Sequence, residues 1–308
     1  MTRQRGAPEI AVLGNLTIDE ITKDGGAIGT FPGGSALYVA ATAAKLGANV
    51  HVFSNIGPDY PRRALDWLRL QGLDLTGVKK SPTKTTRFRI SYRRGSRRLK
   101  ILHPGKLLIL PRRRTHWEAV HLGAVFGEIS LSLISSVRRQ TSFLSIDLQG
   151  FLRKKTGNNQ VQLRPRRFSN LFQSFDLVKA SASEARAQTS TDGTLSATRR
   201  LQRLGPQHLI ITMGSKGSLL AERDGRIFRI PAYGESETVD PTGAGDAVVG
   251  GWLATFLSTK DPVWSASVGS ALASLLVRKR SLSKFRISRN ELFRRAAHVY
   301  NKTTLLES

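Results

Sequence analysis

Short apolar runs rich in β-branched residues alternate along the chain with stretches of helical periodicity. That pattern predicts a parallel sheet flanked by helices, an α/β architecture. The predicted strands are Ile10–Gly14, Asn49–Ser54, Ala119–Leu122, Phe143–Asp147, Asp176–Lys179 and Leu209–Met213. Ala36–Leu46 reads as a helix because its alanines favour that state, and Gly47 supplies the C-terminal stop. In the last third, Gly243–Leu257, Val263–Arg278 and Arg289–Tyr300 carry apolar residues at three- and four-residue spacing. Asp261 is placed as the N-cap of the second of these helices and Pro262 in its first turn. Neither a repeat of fixed period nor a low-complexity linker interrupts residues 1–308, so one main domain is expected.

One stretch follows a different period. In Thr85–Leu102, Phe88, Ile90 and Tyr92 alternate with Arg87, Arg89, Ser91 and Arg93, and after a turn at Gly95-Ser96 the alternation resumes at Leu99 and Ile101. This is the pattern of a β-hairpin, set apart from the parallel core as a small β lid. The lid is expected to comprise segments of about 15–31 and 85–102, the first pairing with the second.

Composition adds boundaries. Apolar residues make up 40% of the chain, as in globular proteins, and the absence of cysteine excludes disulfides, thiolate metal sites and cysteine nucleophiles. No run approaches the length of a membrane span, and the apolar run at Ile10–Gly14 is too short for a signal peptide, so a cytoplasmic protein is expected. The six histidines show no ligand spacing. Charge is the unusual feature: 48 Lys and Arg against 22 Asp and Glu give +26. Between Arg62 and Arg114 the only acids are Asp66 and Asp74. Such a field draws in anionic substrates and supports weak, non-specific polyanion binding, while no nucleic-acid motif accompanies it.

The segment richest in chemistry is Val239-Asp240-Pro241-Thr242-Gly243-Ala244-Gly245-Asp246-Ala247. Pro241 fixes one φ, two glycines allow a ligand close to the backbone, and an apolar helix follows at once. The amides of Gly243, Ala244 and Gly245 are then expected to face outward at the positive end of a helix dipole, a natural anion site. Asp246 at that same end places a general base beside an oxyanion cradle, the two elements a hydroxyl needs to attack a phosphoryl group. A dinucleotide fingerprint does not fit, because Val248 occupies its third glycine, and no segment supplies a Walker A loop.

These residues resemble the C-terminal signature of the ribokinase-like carbohydrate kinases, the PfkB family, and the likeness runs from Ile10 to about Arg278. Gly33-Gly34, Ala40 and Leu46-Gly47 resemble the family's N-terminal signature, and Thr212-Met213-Gly214-Ser215-Lys216-Gly217 its nucleotide-contacting turn. The resemblance implies a three-layer α/β/α fold with a β lid, and ATP-dependent phosphorylation of a small-molecule hydroxyl. It makes Asp246 the base and the Gly243–Gly245 amides the anion hole. Thr212, Gly214, Gly217 and Thr242 fall at the nucleotide, and Asp240 beside a monovalent-cation site suited to K+. Dimers built through the lid are common in the family.

Elsewhere the match is partial. Asp19, after the first strand, stands where the family holds acceptor hydroxyls, with an exposed loop aspartate as the alternative. Gly33 and Gly34, in the N-terminal signature, are expected at the same acceptor site. Tyr38 replaces a substrate-binding Asn and either stacks on a flat ring or packs. Ser181 replaces the Asn of an N-x-x-E motif whose Glu184 organises the waters of Mg2+; a helix cap, S-x-x-E, reads equally well. Asp147 ends a strand where α/β proteins place ligands, with Arg153 beyond it, or packs at the core's edge. The acceptor (sugar, sugar phosphate, nucleoside or inositol) stays open, and Arg87, Arg89 and Arg93 are candidates to hold a phosphorylated one. A kinase-like scaffold that binds polyanions is the rival reading.

Overall fold

The computed structural model describes residues 6–93, 96–110, 116–166, 171–234, 238–279 and 282–307. Gly95 of the expected lid turn and residues 111–115 of the basic stretch lie outside them.

Strand β1 (Glu9–Leu13) sends Ile10 and Val12 into one apolar layer and Ala11 and Leu13 into another, so its alternation is buried on both faces. After it come β2 (Thr17–Lys23), β3 (Gly26–Gly33), α1 (Ser35–Lys45) and β4 (Asn49–Ile56). Next are α2 (Arg62–Leu70), β5 (Val78–Lys80), β6 (Thr86–Arg93) and β7 (Ser96–His103). β8 (Trp117–Leu122), α3 (Leu131–Arg138), β9 (Thr141–Asp147) and the single turn α4 (Gln149–Leu152) follow. A short hairpin of β10 (Arg153–Lys155) and β11 (Val161–Leu163) precedes β12 (Leu177–Ser181), α5 (Ala182–Thr189), α6 (Thr194–Gln202) and β13 (His208–Thr212). The remainder is β14 (Ser218–Glu222), β15 (Ile227–Ile230), α7 (Ala244–Thr259), α8 (Pro262–Leu276), α9 (Arg289–Asn301) and β16 (Thr304–Glu307).

Ten strands form the central sheet in the order β16-β15-β14-β13-β12-β9-β8-β1-β4-β5. Pairing is parallel from β13 through to β5 and antiparallel among β13, β14, β15 and β16. Helices α1, α2, α7, α8 and α9 cover one face, and α3, α5 and α6 the other. The expected α/β/α layering is therefore what the chain adopts. Its three antiparallel edge strands were not among the predicted elements.

α7 is buried on all sides over most of its length. Gly250 lets α1 approach it closely, since a Cβ there would fall 2.1 Å from Thr42 Oγ1. Asp261 caps α8 by accepting from the amides of Val263 and Trp264, as expected. No helix among the described residues is long and apolar enough to cross a membrane.

The lid is a separate four-stranded sheet, β3-β2-β6-β7. Phe88 and Ile90 are buried while Arg89 and Arg93 are exposed, so the predicted alternation sets its two faces. The β10–β11 hairpin docks on its β7 edge: Lys100 bridges Gln160, and the Ile101 amide donates to Asn159 O at 2.9 Å.

Candidate active site

Strands β1, β9, β12 and β13 all end on the same side of the sheet, and a cavity of about 850 Å³ opens there beneath the lid. Its floor is the turn that starts α7. Gly243 is the N-cap, at φ 79°, in the left-handed region that favours glycine. A Cβ at this position would fall 2.2 Å from the ring of Tyr38, which lies flat against the turn from α1. Thr242 N–H donates to Asp240 Oδ1 at 2.9 Å, closing the loop that enters the turn. The expected amide trio is reduced by one: Ala244 N–H donates to Pro241 O at 3.2 Å. The amides of Gly243 and Gly245 have no hydrogen-bond partner among the described residues and remain open to an anion.

Asp246 stands in the first turn of α7 and borders the cavity. Its Oδ1 accepts a 2.6 Å hydrogen bond from Ser35 Oγ, at the start of α1. Burial pushes its carboxyl pKa up, a push opposed in part by the Lys179 ammonium. Lys179 is the residue that sequence reasoning missed. It rises from β12, is buried, and places Nζ where a Cβ on Gly245 would come within 3.1 Å of it. Burial works against its charge, yet Asp147, Asp246 and Glu184 outweigh that and raise its pKa. Two open amides, an ammonium and a carboxylate thus border one end of the cavity together.

Asp147, expected at the cavity, is instead fully buried and does not line it. Its Oδ2 lies 2.7 Å from Lys179 Nζ and its Oδ1 accepts from Gln149 N–H, so it acts as the counter-ion of the lysine. Gly217, expected at the nucleotide, does not border the cavity. Ile230 O lies 2.1 Å from where its Cβ would be, so it packs in the β13–β14 turn, while Thr212 and Gly214 border the cavity. Ser181 and Glu184 realise the capping box at α5, yet both also border the cavity. Glu184 keeps one carboxylate oxygen unengaged among the described residues.

Asp19, on the inner face of β2, is buried beside Gly33 and accepts from Thr17 Oγ1 at 2.7 Å. Burial raises its pKa to about 6, against the pull of Thr17, Arg97 and Arg153. Asp19, Gly34 and Tyr38 border the cavity on one side of the turn. Arg87 and Arg89, candidates for a phosphate, sit on the outer face of the lid. Arg87 pairs with Glu20 and Asp59, and Arg89 with Glu20. Arg97 and Arg153 border the cavity in their stead.

Residues 8–287 match the model of the pfkB family carbohydrate kinases. Among characterised proteins, a cytidine kinase of Thermococcus kodakarensis is 27% identical over 255 residues, covering 80% of this chain and 88% of that protein. Fructokinase-1 of Oryza sativa subsp. japonica is 28% identical over 236 residues, 72% of each chain. A pyrophosphate-dependent kinase in the ribokinase family, solved with sulfate, superposes at a TM-score of 0.81 with 24% identity, over 92% of this chain and 99% of that one. Arabidopsis thaliana ribokinase with ribose and ATP gives 0.75 at 19% identity, over 94% and 99%. With the match spanning nearly the whole sheet and the turn that carries Asp246, the chain belongs to the pfkB family of carbohydrate kinases and is a phosphotransferase.

Proposed function

We propose that this protein transfers the γ-phosphate of ATP to a hydroxyl of a sugar-like acceptor, with Asp246 as general base. The observation that carries the reading is the single turn in which Asp246, oriented by Ser35, adjoins the open amides of Gly243 and Gly245 above Lys179. Asp246 takes the proton of the acceptor hydroxyl as its oxygen bonds to the γ-phosphorus, and the bond from that phosphorus to the bridging oxygen breaks. The amides and Lys179 hold the negative charge of the transferring group, and little else is required of the protein.

Thr212, Gly214 and Thr242 border the same cavity and would flank the nucleotide. Mg2+ suits the site as a hydrated ion: no cluster of three acidic or histidine ligands exists among the described residues, and the free oxygen of Glu184 fits a bound water. When bound it neutralises phosphate charge. Asp240 keeps one oxygen for a monovalent cation such as K+, the other capping Thr242. Sugars, inositols and nucleosides are the acceptor classes in view. Relatives are named as cytidine kinase and fructokinase, and one solved neighbour holds a pyrophosphate analog and myo-inositol. A homodimer through the lid is part of the reading, with β3 as its open edge among the described residues.

The test is phosphate-donor consumption over a panel of sugars, sugar phosphates, inositols and nucleosides, with ATP and pyrophosphate in parallel. Asp246→Asn is expected to lower turnover by about 10² to 10⁴. A variant that keeps more than half the rate on the best acceptor removes Asp246 from the mechanism, and turnover with pyrophosphate alone replaces the donor.

A further inference from the structure

The lid strands treat their arginines in two ways. β6 and β7 pair so that Tyr92 faces Arg97, Ile90 faces Leu99 and Phe88 faces Ile101. Directly opposed residues of an antiparallel pair project to the same side. Arg97 therefore shares the inner face with Phe88 and Ile90, and all three border the cavity; Arg98, opposite Ser91, borders it too but from the other face of the strand. On the outer face, Arg87 and Arg89 are neutralised by Glu20 and Asp59. Arg97 forms no ion pair among the described residues.

A second guanidinium meets it from the hairpin. Arg153 opens β10 and is held in place: Nη1 donates to Val125 O at 3.1 Å and Nη2 to Gln149 Oε1 at 2.8 Å, while its carbon lies 5.9 Å from the centre of the Phe88 ring. Both its partners are neutral, and it too has no carboxylate within ion-pair distance among the described residues. A half-buried guanidinium fixed by neutral acceptors keeps donors for an incoming anion: burial disfavours its charge, and Glu184, Asp147 and Asp246 oppose that only from beyond ion-pair distance.

The location assigns the anion to the acceptor. The transferring phosphate belongs at the α7 turn with Lys179, whereas Arg97 hangs from the lid among Phe88, Ile90 and Leu99. Arg97 and Arg153 both act electrostatically on Asp19, the proposed ligand of the acceptor hydroxyls; Arg153 also acts on Asp246 and so stands between the two ends of the cavity, whereas Arg97 marks the acceptor end. A molecule that engages Asp19 and both guanidiniums needs hydroxyls at one end and a compact negative group at the other. We infer that the acceptor of this kinase is itself an anion, a polyol bearing a phosphate or carboxylate group, received by Arg97 and Arg153. This rests on the kinase reading above and narrows its acceptor.

Equilibrium binding on the full chain tests it apart from turnover. Three matched pairs serve as probes: fructose and fructose 6-phosphate, ribose and ribose 5-phosphate, glucose and gluconate. Each is titrated by calorimetry with a non-hydrolysable ATP analogue at saturation, so that the donor cradle is filled. The anionic member of at least one pair is expected to bind tenfold or more tightly than its neutral partner. Arg97→Gln is expected to reduce that preference by about tenfold to a hundredfold, the scale of a hydrogen bond to a charged group. Arg89→Gln, on the outer face, leaves it in place. Preference within the phosphate pairs alone or the gluconate pair alone identifies the group. Arg153→Gln is expected to act like Arg97→Gln; should it not fold, Arg97, on an exposed side chain, still decides. Equal binding within all pairs, absence of binding included, overturns the inference, as does a preference unmoved by Arg97→Gln or a probe that competes with the nucleotide. The kinase reading fails separately, through Asp246→Asn turnover.

Discussion

Ser35 Oγ donates a 2.6 Å hydrogen bond to Oδ1 of Asp246, joining the first residue of α1 to the first turn of α7 across 211 positions of sequence. A hydroxyl that donates to a carboxylate favours its ionised form and fixes one of its oxygens, leaving the other for the proposed acceptor hydroxyl.

Removing that donor has a predictable sign. Burial already holds the pKa of Asp246 above the ordinary aspartate value, and Ser35 opposes this. Ser35→Ala therefore raises it further. A base works only when deprotonated, so activity is lost as pH falls through this pKa. In Ser35→Ala the acidic limb of the rate profile is expected at higher pH than in the wild type, with kcat lower by about tenfold. A profile whose limb stays in place excludes an orienting role for Ser35.

The buried pair of Lys179 and Asp147 makes a stability prediction. Taking away one member leaves the other charged in a dry interior, at a cost of about 3–5 kcal/mol. Lys179→Met and Asp147→Leu are each expected to lose that much in denaturant unfolding, and the double variant clearly less than their sum. Activity does not return in the double variant, because the ammonium beneath the anion position is gone. Recovered turnover would show that Lys179 serves folding alone.

Gly243 and Tyr38 are predicted to couple. Gly243→Ala imposes a left-handed conformation on an L-residue, costing about 1–2 kcal/mol, and drives a methyl into the Tyr38 ring. Tyr38→Ala in the same chain clears the clash but not the backbone strain. Unfolding of the four proteins of the cycle is expected to give a favourable interaction of about 1 kcal/mol or more between the two substitutions.

His51 gives a test away from the active site. It bridges Glu9 Oε2 at 2.9 Å and Asp74 Oδ2 at 2.8 Å. Burial disfavours its charged ring, but the two carboxylates outweigh burial and raise its pKa. A raised histidine stabilises the fold below its unfolded value of about 6.5 and loses that contribution as pH climbs through the folded value. The depressed carboxylates, which must overcome their own burial, withdraw theirs as pH falls below the usual carboxylate range. The wild type is expected to lose more stability than His51→Gln between pH 6 and pH 8, by no more than about 1 kcal/mol at this exposure. Parallel losses in the two proteins rule the bridge out as a contributor.

Periodicity and turn chemistry made much of this legible in advance. The central parallel strands, the lid hairpin and the Asp240–Asp246 turn all announce themselves through local residue choice. What stayed hidden is long-range pairing. Asp147 looks like a ligand at a strand end, and only the neighbouring strand shows that it serves Lys179. Lys179 is a charge set between Val178 and Ala180 in a buried strand, a signal strong enough to have flagged it. The face of each lid arginine depends on register across the turn, so local alternation marks Arg87 and Arg89 while pairing with Tyr92 brings Arg97 to the cavity. Residues 153–163 alternate too briefly to read as a hairpin.

That hairpin changes how the site can open. Because Asn159 and Gln160 are joined to Ile101 and Lys100, the lid is not a leaf hinged only at its strand ends. Swinging it outward either breaks the backbone bond at Ile101 or carries the hairpin along. In the second case Arg153 must also release Val125 O and Gln149 Oε1, which stay behind with Lys179 and the α7 turn. Opening the cavity on that side therefore costs the hairpin's contacts to the lid or those of Arg153 to the body of the protein.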